Sequence, residues 1–159
     1  MLSADKMPYL EREAAVQFAA GIRSRGGNVV FTNGCFDLLH KGHLTLLKSA
    51  RREGDCLIVG LNSDESVRRL KGKGRPVQSE SERAEALLAT DVVDLVTLFA
   101  EETPLELIRK IQPDILVKGG DYEIDEIVGA DVVEGRRGRV VTVPLLPGFS
   151  TTDIIDRQN

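Results

Sequence analysis

The chain of 159 residues holds two histidines, and they stand three apart in the stretch Gly34-Cys35-Phe36-Asp37-Leu38-Leu39-His40-Lys41-Gly42-His43. Two histidines scattered at random over this length would fall at that spacing roughly once in eighty placements. The bland reading is a pair of surface or satisfied core histidines. Position argues against it, because the pair follows a strand-like run and opens a helix-like one. A helix entrance offers unpaired backbone N–H groups and the positive end of the helix dipole, which suits a phosphate. Gly42 lets a phosphate approach the backbone closely, and the two imidazoles can donate hydrogen bonds to phosphoryl oxygens. Two histidines alone make too small a ligand set for a metal, although Asp37 lies nearby.

The elements that must position this pair alternate along the chain. Residues 8–24 read as an opening helix ended by Gly26-Gly27. Val29 to Thr32 is a β-branched strand, followed by a loop from Asn33 to Asp37. A helix is expected from about Gly42 to Arg52, with Leu44, Leu47 and Ala50 on one face. Cys56 to Leu61 is a continuous apolar run of the kind buried on both faces of a sheet. Ser79-Glu80-Ser81-Glu82 reads as a capping box opening a helix to about Ala89. Val93–Phe99 is a third strand, and Thr103-Pro104-Leu105-Glu106 starts a helix to about Ile111 with Thr103 as cap. Ile115–Lys118 and Arg139–Leu145 supply two more strands, and Ser150 caps a last short helix. The pattern predicts a single α/β domain, doubly wound and Rossmann-like, with a five-stranded parallel sheet in the order 3-2-1-4-5 and helices on both faces. Ligands of such sheets bind at the carboxyl ends of the strands, where strand order reverses.

Composition narrows the function further. Hydrophobic residues make up 42% and charged residues 29%, ordinary for a soluble globular protein. Aromatics are only 4% and the formal net charge is −4, which disfavours stacking platforms and an electrostatic grip on nucleic acid. No apolar run approaches the roughly 18 residues of a membrane helix, and the N-terminus does not read as a signal peptide. The expectation is a cytoplasmic protein that binds neither nucleic acid nor membrane. Cys35 and Cys56, expected about 20 Å apart at opposite ends of neighbouring strands, read as free thiols, and a zinc site is improbable. The Gly-x-Gly-x-x-Gly fingerprint and the GK[ST] phosphate loop are both absent, so neither a nicotinamide dehydrogenase nor a P-loop NTPase fits. Arg68-Arg69-Leu70-Lys71-Gly72-Lys73-Gly74-Arg75 is a basic stretch inside an acidic protein, read as contacting phosphates rather than as a solvated face. Arg136, Arg137 and Arg139 read as solubility only. Asp64 reads as a helix N-cap or a ligand-facing carboxylate, and Asp121 as a cap at the core edge or a carboxylate facing ligand.

His40-Lys41-Gly42-His43 resembles the HxGH motif of the nucleotidyltransferases, the superfamily that includes the cytidylyltransferases, phosphopantetheine adenylyltransferase and class I aminoacyl-tRNA synthetases. Gly148-Phe149-Ser150-Thr151-Thr152 resembles that superfamily's second signature, a Ser/Thr-rich helix start that holds the triphosphate. Asn62-Ser63-Asp64, Ser66 to Gly72, Arg75-Pro76-Val77 and Val117-Lys118-Gly119-Gly120-Asp121-Tyr122 resemble the adenylyltransferase domain that activates D-glycero-β-D-manno-heptose 1-phosphate for lipopolysaccharide inner-core synthesis. In many bacteria that domain is fused behind a sugar kinase. The resemblance covers nearly all of residues 28–157, which puts a nucleotidyltransferase domain at 28–159 behind an N-terminal helical extension at 1–27.

The resemblance implies transfer of AMP from ATP to the heptose phosphate. It implies catalytic roles for His40, His43 and Lys71, and nucleotide contacts from Asn33, Gly34, Cys35, Phe36, Gly42, Gly119, Asp121, Gly148, Ser150, Thr151 and Thr152. Asp37, Lys73 and Arg75 would meet the acceptor phosphate. Mg²⁺ would be held mainly by the ATP phosphates, with Asp121 facing either the nucleotide or the ion. A homodimer or tetramer and a separate heptose kinase acting upstream are also implied. An arginine usual in glycerol-3-phosphate cytidylyltransferases, five residues before the signature serine, is replaced by Leu145, which disfavours CTP. The competing readings are a cytidylyltransferase for a small phospho-alcohol and a nucleotide sensor without catalysis.

Overall fold

Five runs of β-branched and aliphatic residues form the strands β1 (Val29–Gly34), β2 (Cys56–Asn62), β3 (Leu95–Phe99), β4 (Ile115–Gly119) and β5 (Arg139–Val143). Apolar residues in unbroken series are what a strand covered on both faces needs, and every residue of β2 is buried. The computed structural model describes residues 8–120 and 122–144. All strand pairs are parallel, and the order is β3-β2-β1-β4-β5, as expected from the sequence. The chain therefore winds outward from β1 to β3, returns to pair β4 with β1, and reverses direction at the β1–β4 boundary. α1 (Arg12–Ser24) precedes the first strand, and between the strands run α2 (Lys41–Arg51), α3 (Asp64–Lys71), α4 (Glu80–Leu88), α5 (Leu105–Ile111) and α6 (Ala130–Gly135), with a 3₁₀ turn at Ile124–Glu126.

Successive strand residues point to opposite faces, so the sheet divides two cores. Val29 and Phe31 pack with Ala15 and Ala19 of α1 and with Leu107, Ile108 and Ile111 of α5. Val30 packs on the other face with Leu46, Leu47 and Ala50 of α2 and Ala84 and Leu87 of α4. Each such aliphatic side chain, fully removed from water, contributes about 1.5–3 kcal/mol. Gly60 in β2 is a packing requirement: a Cβ there would lie 2.7 Å from the Phe31 ring and 3.0 Å from Leu107.

Several boundaries differ from the sequence expectation, each for a local reason. The first helix begins at Arg12, because Leu10 is drawn into a parallel bridge with Thr97 and donates its N–H to Val96. β1 runs on through Asn33 and Gly34, expected in a loop, because they stay in register with Gly60 and Leu61. β3 starts at Leu95, because the Asp94 carboxylate accepts the N–H of Leu57 and closes the start of β2. On α2 the buried face includes Leu46, and Leu44 is only half-buried. Pro104, not Thr103, occupies the cap position of α5. The Arg cluster near β5 does more than aid solubility, since Arg139 pairs with Glu53 and Arg136 donates to the Gln112 carbonyl at 2.9 Å. Val29 faces Cys56 and Gly34 faces Leu61, so the two thiols, both free, stand at opposite ends of neighbouring strands. The expected helix capped by Ser150 lies outside the described residues. Among the described residues no helix is long and apolar enough to cross a membrane.

Candidate active site

The carboxyl end of β1 delivers its chain directly to the histidines. Phe36 and Leu38 adopt left-handed backbone conformations, with φ of 47° and 58°, which turn the chain sharply before α2. A side chain at Gly34 would meet the Phe36 ring at 3.0 Å, so the glycine makes room for that ring to fold inward. The ring is buried in the α2-side core, 5.4 Å from the His43 ring.

His40 is the N-cap of α2. Its Nδ1 accepts the N–H groups of Gly42 at 3.1 Å and His43 at 3.4 Å, and the His43 Nδ1 accepts the His40 N–H at 3.4 Å. The two rings stack, with centroids 3.8 Å apart and planes 21° from parallel. This corrects one expectation: the N–H groups of Gly42 and His43 are not offered to a ligand but are capped by imidazole. An Nδ1 that accepts is unprotonated, so each neutral ring carries its proton on Nε2, and that nitrogen of His40 is buried. Burial lowers the pKa of both rings, His43 to about 4, with the positive charges of His40 and Lys71 pushing it the same way. At neutral pH the pair is two uncharged donors fixed to a helix end.

Asp37, expected to meet the acceptor phosphate, has another task here. It is fully buried, and its carboxylate accepts the N–H groups of Val77 at 2.8 Å and Gln78 at 3.0 Å and pairs with Arg75 at 3.3 Å. A carboxylate so engaged folds the loop after α3 back against β1. The Arg75 guanidinium keeps one buried nitrogen, Nη2, with no partner among the described residues. Lys71 is exposed, and its charge acts on both the Cys35 thiol and His43. Lys73 is exposed on the same loop between Gly72 and Gly74, whose φ values of 95° and 88° favour glycine.

A cavity of about 370 Å³ opens over the strand ends on the α5 side of the sheet. Asn33, Gly34 and Cys35 line it, with Asn62, Leu70, Phe99, Glu102, Thr103, Pro104, Lys118, Tyr122 and Glu126 to Val128. The structure thus gathers Asn33, Gly34 and Cys35 at a cavity and His40, Gly42 and His43 at the α2 entrance, the two regions meeting at the end of β1. Gly119 ends β4 beside Val143. Asp121, Gly148, Ser150, Thr151 and Thr152 lie outside the described residues.

Two residues receive no role from the motifs. Arg83, on α4, is completely buried and donates to the carbonyls of Gln78 at 3.0 Å, Cys35 at 2.8 Å and Asn62 at 2.8 Å, and to the Asp64 carboxylate at 2.7 Å. It binds together the ends of β1 and β2 and the entrances of α3 and α4. Its signal in the sequence is an arginine on the same helical stripe as Ala84 and Leu87. Lys118 is the other, a cation in an otherwise apolar strand.

Magnesium, implied by the resemblance, finds no cage of protein ligands: among the described residues no three His, Cys, Asp or Glu side chains cluster as a metal site needs.

The parallel sheet and the histidine-capped helix at its switch point fit the nucleotidyltransferase class that the HxGH motif resembles, and the family comparison agrees. The sequence model of the cytidylyltransferase-like family matches residues 31–157, and the chain belongs to that family. Among curated proteins it is 56% identical over 135 residues to the bifunctional protein HldE of Nitrobacter winogradskyi, covering 85% of this chain and 28% of that protein. It is also 56% identical over 146 residues to the HldE of Trichlorobacter lovleyi, covering 92% of this chain and 30% of that one. The chain thus spans less than a third of the length of these relatives. A lipopolysaccharide core biosynthesis protein from Thermoplasma volcanium superposes with a TM-score of 0.62 at 28% identity, over 76% of this chain and 98% of that one. Pantoate-β-alanine ligase from Francisella tularensis shares the fold, with a TM-score of 0.58 at 17% identity, over 89% of this chain and 73% of that one.

Proposed function

We propose that this protein transfers AMP from ATP to D-glycero-β-D-manno-heptose 1-phosphate, giving ADP-heptose and pyrophosphate. The observation that carries the reaction type is the stacked, capped histidine pair, which presents neutral N–H donors at the strand switch point. The acceptor rests on the heptose-domain motifs from Asn62 to Tyr122, supported by 56% identity to the HldE proteins.

An oxygen of the sugar phosphate attacks the α-phosphorus of ATP in line. A P–O bond forms there as the bond to the pyrophosphate oxygen breaks, and the electron pair leaves with pyrophosphate. The nucleophile is already an anion, so no general base is needed and catalysis rests on positioning and charge stabilisation. His43 and His40 donate from Nε2 to phosphoryl oxygens on which charge builds. Lys71 supplies positive charge from the α3 end, and Mg²⁺ carried by the triphosphate would neutralise its oxygens. The Ser150 to Thr152 segment would hold the β and γ groups. The working form would be a homo-oligomer.

The test is pyrophosphate release with Mg²⁺, crossing ATP and CTP against heptose 1-phosphate and glycerol 3-phosphate. Release with ATP and the heptose phosphate alone is expected. Release with CTP and glycerol phosphate would refute the acceptor and nucleotide, and ATP binding without release under any pairing would refute catalysis.

A further inference from the structure

We propose that Lys118 is the residue that holds the phosphate of the acceptor, with the sugar lying in the cavity beside it. This rests on the adenylyl-transfer reading above and names a residue for it that the motif comparison leaves without a role.

Alternation along β4 sets the geometry. Leu116 belongs to the α5-side core, and Lys118, two residues on, faces the same way at the end of the strand. An ammonium is therefore raised to the top of an apolar row and lines the 370 Å³ cavity. It is only half-exposed, and among the described residues no carboxylate comes within 4 Å of it. Its ammonium stands over the Tyr122 ring, 5.4 Å from Nζ to the centroid. Burial lowers the lysine's pKa, so the charge is held there at a cost that a bound anion would offset.

The surroundings specify the anion. Asn33, Asn62, Thr103 and the carboxylates of Glu102 and Glu126 line the same cavity and suit a ligand rich in hydroxyls. Lys118 shares the cavity lining with Cys35, and the charge of Lys71 acts on the Cys35 thiol, so positive charge reaches the end of β1 from both β4 and α3. A phosphate between them lies at the junction of cavity and histidines, where an acceptor oxygen must stand to reach the α-phosphorus. The chemistry on both sides is that of a sugar phosphate, and Lys118 is a positioning residue for its anionic end.

The test uses Lys118→Met and Lys118→Gln, with two readouts for each. One is the separate KM values for ATP and heptose 1-phosphate in pyrophosphate release. The other is calorimetric titration of heptose 1-phosphate without ATP. The acceptor KM and Kd should rise at least about tenfold while the ATP KM stays within about twofold. Because Lys118→Met replaces an unpaired, half-buried charge with an apolar side chain of similar length, its melting temperature should not fall. An acceptor KM and Kd unchanged in both variants, or an ATP KM that rises equally, overturns the assignment. Wild-type protein that binds the heptose phosphate but releases no pyrophosphate refutes the reaction alone. Wild-type protein that neither binds nor turns over that sugar phosphate overturns both.

Discussion

Replacing Arg83 with methionine keeps the length of the side chain and deletes the guanidinium that joins four segments. The structure sets the magnitude. Four hydrogen bonds go, to Gln78, Cys35, Asn62 and Asp64. The Asp64 carboxylate is 35% exposed and can turn to water, so its share of the loss is small. The bond to the Asn62 carbonyl is buried and that to Cys35 partly so, and these acceptors are left without a donor at about 1–3 kcal/mol each. Deleting one partner of a buried charged network costs about 3–5 kcal/mol, and the apolar methionine returns a little. A net loss of about 3 kcal/mol corresponds, for a domain of this size, to roughly 6–12 °C in melting temperature. Thermal and urea unfolding measure it directly. Because Cys35 and Asn62 line the cavity, the acceptor KM should rise in the same variant at temperatures where it is still folded. A variant melting within about 2 °C of wild type would show that the network is dispensable and refute the reasoning.

Three further outcomes are expected. His43→Ala should lose on the order of 10²-fold in turnover with its fold intact, as other removed charge-stabilising donors do; near-normal turnover would take His43 out of the mechanism. The pKa of His43 falls from 6.5 to about 4 on folding, so below pH 6.5 the unfolded chain takes up its proton first and stability is lost until about pH 4. Urea midpoints between pH 7 and pH 5 should therefore drop more steeply for wild type than for His43→Gln, and parallel curves would contradict that origin. Gly60→Ala should destabilise by about 1–3 kcal/mol, because the new methyl meets the Phe31 ring and Leu107 inside a filled core; a neutral result in urea unfolding would mean that β2 shifts more easily than its burial implies.

The parts of this protein governed by short-range rules are legible in the amino-acid sequence. Strand runs announce themselves by unbroken apolar stretches, and Ser79 caps its helix in a box with Glu82, as the spacing of the two residues requires. The histidine spacing points to the site. What stays hidden depends on which segments the fold brings together. Asp37 resembles a ligand-facing carboxylate in sequence, and only the return of the loop at Val77 and Gln78 shows that it is a buried fastener. Asp64 has the residue type of a helix cap, while the cap is Ser63, one residue earlier, and the carboxylate instead serves Arg83. The short helix at Ala130–Gly135 carries too few residues for a periodicity to emerge, and its start uses Gly129 at φ 89° rather than a side-chain cap. Arg83 and Lys118 stand at apolar-face positions in the sequence, but which groups each cation meets is decided by neighbours distant in the chain.

The sheet is also a partition. The cavity opens above the α5-side core, and the histidines stand above the α2-side core, so the two regions meet at the end of β1. On the proposed reading, the acceptor sugar comes to that border from the cavity and the nucleotide's phosphates from the histidine side, and neither has to leave for the other to enter. Kinetics with no compulsory order of addition follow from that layout, as does a narrow meeting line where only phosphates face each other.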